Sequence, residues 1–149
     1  MASWLCILNR ENFEVVTKDL VWGVALRHRE QLAKAMPGDK CAFYLVREYS
    51  IGGILEIISN MYEDTSDIFP SKMTSGEKYP YRVRLKPINI FKKGVPFKPL
   101  VQTLIFITNK KHYGGYIMGK AMRRIPDSDM KLISIRHRLR LALYSTPLF

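Results

Sequence analysis

Apolar positions come in two rhythms along the chain, and the switches between them predict the order of elements. "SWLCIL" (Ser3 to Leu8) is almost continuously apolar, the pattern of a buried strand. "NRENFEVVTKD" (Asn9 to Asp19) carries capping residues and a Phe13/Val16 pair at helical spacing, which predicts a short helix. "LVWGV" follows as a short extended piece, and "HREQLAKAM" as a helix stopped by Pro37-Gly38. The Pro-Gly-Asp turn launches a second strand, "DKCAFYLV". "IGGILEIISNMY" is a third, in which Gly52-Gly53 marks a bulge or a close backbone approach.

From Glu63 to Pro80 the pattern lapses into a long polar loop, a length that is often functional. It resumes with "YRVRLKPINI", where Tyr81, Val83 and Leu85 alternate with Arg82, Arg84 and Lys86. That period of two predicts a strand with one apolar and one cationic face. "FKPLVQTLIFI" is mixed, with a short helix as one reading, and "GGYIMGKAMRRI" is ambiguous. Pro126 and the acidic residues after it open a helix, with Met130, Ile133, His137, Leu141 and Tyr144 able to share one face. Arg136, Arg138 and Arg140 keep a different beat, so the end of this segment reads equally as a strand. Short strands interrupted by short helices predict an α+β domain built on a curled sheet or small barrel. The 149 residues suit a single domain spanning 1–149.

Charge changes the picture more than composition does. The chain has net charge +11, unevenly spread: residues 1–69 hold 7 Lys+Arg against 10 Asp+Glu, whereas 70–149 hold 17 against 3. Such asymmetry points to a polyanion, because neutralised phosphates release condensed counterions. No apolar run is long enough to span a membrane, and "MASWLCILNREN" lacks the basic region of a secretory signal. The two cysteines, Cys6 and Cys41, fall in strand-like runs and read as reduced core thiols, in keeping with a cytoplasmic protein.

Catalytic signals are weak. His28, His112 and His137 show no metal-ligand spacing, and neither Gly-rich stretch matches a dinucleotide or phosphate loop. The pairs Asp64/Asp67 and Asp127/Asp129 read as solvated loop charges and a helix start. No enzyme, metal or cofactor is expected. Aromatics interleaved with basic residues are more suggestive: Trp22, Tyr44, Tyr79, Tyr81, Tyr113 and Tyr116. Stacking on flat rings together with phosphate neutralisation is how proteins hold unpaired bases.

The ordered combination of "SWLCILN", "VWGV", "PGDKCAFYLV", "IGGILEI", "YPYRVRLKPI" and "GKAMRRIPDSDMKLI" resembles the EVE domain family, in the PUA-like group that includes YTH domains. The likeness spans about Ser3 to Ile133 and looks like a stand-alone archaeal member. It implies a curved, barrel-like mixed sheet flanked by short helices, with a pocket that takes a nucleobase, often methylated, between aromatic walls. On that resemblance Trp22 is a wall, Gly23 and Val24 bring backbone to the base edge, and Tyr44 and Asn9 border the pocket beside Arg10. Tyr79 or Tyr81 supplies the second wall. Where many members read "WYGVRN" this chain reads "WGVALR", so the family's Asn has no counterpart and Arg27 is the candidate substitute. Leu45-Val46 stands where many members have His-Ser, making this pocket more apolar. Arg82, Arg84 and Lys86, with Lys110 and Lys111, are the expected phosphate contacts. The expected partner is RNA or DNA carrying a modified base. A free flat ligand in the same pocket is the alternative, and a membrane or protein contact through "SIRHRLRLALYSTPLF" is a third reading.

Overall fold

The computed structural model describes residues 1–70 and 76–145, with side chains as far as Leu139. Among the described residues, seven strands form one mixed sheet: β1 (Ser3–Leu8), β2 (Val21–Val24), β3 (Lys40–Leu45), β4 (Ser50–Ile57), β5 (Tyr62–Glu63), β6 (Tyr81–Pro96) and β7 (Met122–Ile125). The strand order is β2-β6-β4-β3-β1-β7, with β5 paired to β6. Only β1 and β3 run parallel among these pairs. Three α-helices among the described residues flank the sheet: α1 (Arg10–Asp19), α2 (Arg29–Ala33) and α3 (Asp127–Ser145).

Both faces of the central strands are covered, which is why β1 and β3 read as unbroken apolar runs. Trp4, Cys6, Cys41, Phe43 and Leu55 point to one side, where Phe13 and Val16 of α1 and Trp22 of β2 complete a core. Leu5, Ala42, Tyr44 and Ile54 point to the other, against Phe91, Phe97, Leu104 and the α3 residues Met130 and Ile133. Both cysteines are buried free thiols. Burial, followed by the Cys41 thiol beside it, pushes the Cys6 thiol well up, so it stays protonated.

The glycine pair does both things expected of it. The β4–β6 register shifts between Ile51 and Gly53. A Cβ on Gly52 would lie 2.8 Å from the Phe13 ring, so α1 can sit on β4 only because that position is bare. The mixed segment after β6 holds only a short 3-10 turn, Lys98–Leu100, while β6 itself runs on to Pro96. α3 stays helical to Ser145, which removes the strand alternative for its end. Its Met130, Ile133 and His137 are buried as the spacing predicts, whereas the Leu141 and Tyr144 side chains and Thr146 to Phe149 lie outside the described residues. Asp127 and Asp129 do more than start the helix. Asp127 accepts a hydrogen bond from Ser3 Oγ at 2.8 Å. Buried Asp129 accepts from the Ile105 and Phe106 amides at 2.8 and 3.0 Å, tying the 101–107 segment to α3.

Candidate nucleobase cavity

The two ends of the sheet order are β2 and β7. Beside β2, at the ends of β1 and β3 and against the segment that enters β7, lies a cavity of about 520 Å³, inside the range of small-molecule sites. The end of β1 contributes Ile7, Leu8 and Asn9, and β2 contributes Trp22, Gly23 and Val24. Tyr44, Val46, Arg47 and Tyr49 come from the end of β3 and the turn beyond it. The segment entering β7 adds Ile117 to Ala121, and the long loop adds Phe69 and Tyr79.

The aromatics divide by depth. Trp22, Phe69 and Tyr44 are 3%, 2% and 5% exposed and make the floor. Trp22 stands edge-on to Phe43 with ring centres 5.8 Å apart and packs into the core beneath the cavity. Tyr44 stands edge-on to Phe97 at 5.0 Å, and burial, with Tyr113 and Tyr49 nearby, pushes its phenol up and keeps it neutral. Tyr79 is half-buried and meets Phe69 edge-on at 5.7 Å. Of the two candidates for the second wall, Tyr79 borders this cavity and Tyr81 does not. Tyr81 lies in β6 on the same face as Val83, packs on the core, and carries the Arg29 guanidinium 5.4 Å from its ring. It does not border the cavity. Tyr79, just before β6, takes a left-handed backbone (φ 49) and its ring lines the cavity instead.

Gly23 is the close approach that its neighbours suggest, but what approaches is the protein itself. A Cβ there would lie 2.6 Å from the Tyr79 carbonyl oxygen and 3.2 Å from the Phe69 ring. The bare position lets the long loop press its two aromatic residues against β2.

Arg82 corrects an expectation. It lies on the cationic side of β6 but is 1% exposed, covered by that same loop. Its guanidinium donates to the Tyr79 carbonyl at 3.0 Å, Ser66 Oγ at 2.8 Å, the Lys78 carbonyl at 3.0 Å and the Ser66 carbonyl, with Asp64 at 3.5 Å. It locks both ends of the loop and has nothing left for a phosphate. Arg84 lies 5.3 Å over the Tyr62 ring, outside the cavity lining. Lys86 pairs with Glu56 at 3.5 Å, at the far end of β4 from the cavity. Lys110 donates to the Leu104 carbonyl at 2.6 Å, and exposed Lys111 also lies away from the lining. The alternation in β6 was real, but it says which side a cation leaves the sheet, not what then covers it.

The cations that do border the cavity are Arg27, Arg47 and Lys120. Arg27 is held by Glu77 at 3.1 Å. His28 sits beside it, and burial, then Arg27, holds its imidazole below the ordinary value, so it is neutral at neutral pH. A second cleft shares Arg27, His28, Gly119 and Lys120 with the first and runs on past Lys34 and Arg124. Asn9 caps α1 by accepting from the Asn12 amide at 2.9 Å, and both asparagines border the cavity. Asn12, Arg47, Tyr49, Phe69 and Lys120 were not singled out in the sequence. Only the Asn9–Asn12 cap carried a local signal; the others come from turns that the fold brings together.

The EVE domain profile matches residues 2–135. The chain belongs to the EVE domain family. A UPF0310 protein of Pyrococcus abyssi is 48% identical to this EVE domain over 141 residues, covering 89% of this chain and 97% of that one. The fold, a curled PUA-like half-barrel with short helices, recurs in the YTH domain of the Zygosaccharomyces rouxii MRB1 protein, solved with N6-methyladenosine RNA. There the TM-score is 0.61 at 17% identity, covering 91% of this chain and 86% of that one. It recurs in human THYN1, solved with 5-methylcytosine DNA, at TM-score 0.62 and 14% identity, covering 91% of this chain and 98% of that one.

Proposed function

We propose that this EVE domain binds nucleic acid by holding one unpaired or flipped nucleobase, in particular a methylated one, in the cavity beside β2. It acts as a binding module without chemistry of its own. The observation that carries the reading is the cavity: about 520 Å³, an aromatic floor, a half-buried tyrosine on its side and cations on its rim. Extracting a base costs a few kcal/mol, and each aromatic contact returns about 1–3 kcal/mol. A buried methyl adds roughly 0.8 kcal/mol, so discrimination depends on a closely shaped apolar slot, and Val46, Met118 and Ile117 supply apolar lining. Lys120 and Arg47 on the rim, with Lys34 and Arg124 along the adjoining cleft, are the phosphate contacts this geometry favours over β6. The methylated RNA and DNA held by the YTH domain and by THYN1 support the reading.

The test is binding of RNA and DNA oligonucleotides, each with and without N6-methyladenine or 5-methylcytosine, to wild type, Trp22→Phe and Tyr79→Ala. Trp22→Ala is the poorer probe, because emptying a buried Trp site costs about 3–5 kcal/mol. Tyr79→Ala is expected to stay folded with a modestly lowered thermal midpoint and to lose about tenfold or more in affinity. Equal binding by wild type and Tyr79→Ala would remove the cavity from the account.

A further inference from the structure

The turn joining β3 to β4, Val46 to Tyr49, is held in a conformation that its residues do not favour. Arg47 has φ 70 and Tyr49 has φ 52, the left-handed region where glycine or asparagine is at ease. Two such residues in a four-residue turn is a cost that folding alone gives no reason to bear, since glycine at either place would relieve it. The surroundings enforce the geometry. Glu48, between them, accepts from Nε and Nη2 of Arg10 at 3.0 and 2.8 Å. The Tyr49 amide donates to the Leu45 carbonyl at 3.1 Å, and its carbonyl accepts from the Phe97 amide at 2.9 Å.

What the strain secures is the placement of two side chains. Arg47 and Tyr49 both line the mouth of the cavity. Tyr49 is 64% exposed. Tyr44, Tyr79, Tyr113 and Tyr116 each stand against another ring, and Tyr62 and Tyr81 each carry a guanidinium. Among the described residues Tyr49 is the one tyrosine with neither on its face, and the Arg47 guanidinium has no acidic partner. An open aromatic face beside an unpaired guanidinium, at the lip of a base-sized cavity, has the chemistry to receive a second base and its phosphate.

We propose that Tyr49 and Arg47 form a second station outside the cavity, where Tyr49 stacks the base next to the captured one and Arg47 meets the phosphate between them. The ligand is then a strand of at least two nucleotides, unpaired at this point, rather than a free nucleoside. This rests on the cavity holding a base.

The test compares N6-methyladenosine and 5-methylcytidine as nucleosides with RNA and DNA trinucleotides carrying the same modified base at the centre. Wild type is expected to bind a trinucleotide more tightly than its nucleoside. Tyr49→Gly should lose about tenfold for the trinucleotide, lose clearly less for the nucleoside, and melt no lower than wild type because the left-handed backbone is relieved. Tyr49→Phe should keep the trinucleotide affinity. Trinucleotide binding unchanged in Tyr49→Gly would overturn the second station, and so would an equal loss for the nucleoside. If wild type binds nucleoside and trinucleotide equally, the station falls and the base cavity stands. If it binds neither, both fall.

Discussion

At the residue scale, Gly23 and Arg82 bear on the site by shaping it from behind. They face each other across β2 and β6, where Gly23 pairs with Arg82 in register. Gly23 makes room for the Tyr79 carbonyl, and Arg82 then binds that same carbonyl at 3.0 Å. The sequence marked both positions, one for a ligand's approach and one for a phosphate, and in each case the occupant is the protein's own loop. Neither the bareness of a glycine nor the charge of an arginine says who arrives. Gly23→Ala is expected to cost about 1–3 kcal/mol, as overpacking does, and to push Tyr79 off the cavity. Thermal melting and oligonucleotide affinity should therefore fall together. A variant with native stability and native binding would show that the loop's contact with β2 is slack.

At the element scale, the turn between α2 and β3 carries a buried carboxylate that ties this turn to the N-terminal strand. Asp39 accepts from the Trp4 indole at 3.0 Å, the Ala2 amide at 2.8 Å and the Met36 amide at 3.0 Å. Burial pushes its carboxyl up, but those hydrogen bonds together with the N-terminal amine outweigh it and hold the group below its ordinary value. A carboxylate held low in the folded state binds protons more readily when unfolded. Its contribution is therefore complete above the ordinary value near 4 and is lost as pH falls through the lower folded value. Asp39→Asn is expected to be less stable by about 1–3 kcal/mol at neutral pH and to lose less stability than wild type between about pH 4 and pH 2. Denaturant unfolding across that range measures both. The strands themselves were largely legible, since β1, β3 and β4 are long apolar runs bounded by turn residues. The 97–121 region was not, because its order comes from distant partners such as Asp129 and from packing on Tyr44 and Phe91 rather than from local periodicity.

At the scale of the whole molecule, the surplus of cations predicts a salt-dependent partner, while the fold decides which cations meet it. With two to four phosphates contacted by Arg47, Lys120, Lys34 and Arg124, log affinity for a single-stranded oligonucleotide should fall with log salt at a slope of about −1.5 to −3. Lys120→Gln should make that slope shallower by about 0.7, and Lys111→Gln should leave it unchanged. Nucleoside binding should barely respond to salt, and an oligonucleotide slope near zero would argue for a small uncharged ligand. The sequence by itself determined the α+β class, most of the strands, the basic half and the family likeness, because each is written in local pattern, composition or motif order. It also marked Trp22 and Tyr79 as residues of interest. Only the tertiary structure decided that the ends of β1 and β3, β2 and two loops enclose the cavity and that Arg82 is spent beneath a loop. It alone placed Tyr49 and Arg47 at the lip. The physical reason is that the cavity is assembled from segments far apart in the chain, and nothing in the residues of any one segment records what the others bring to it.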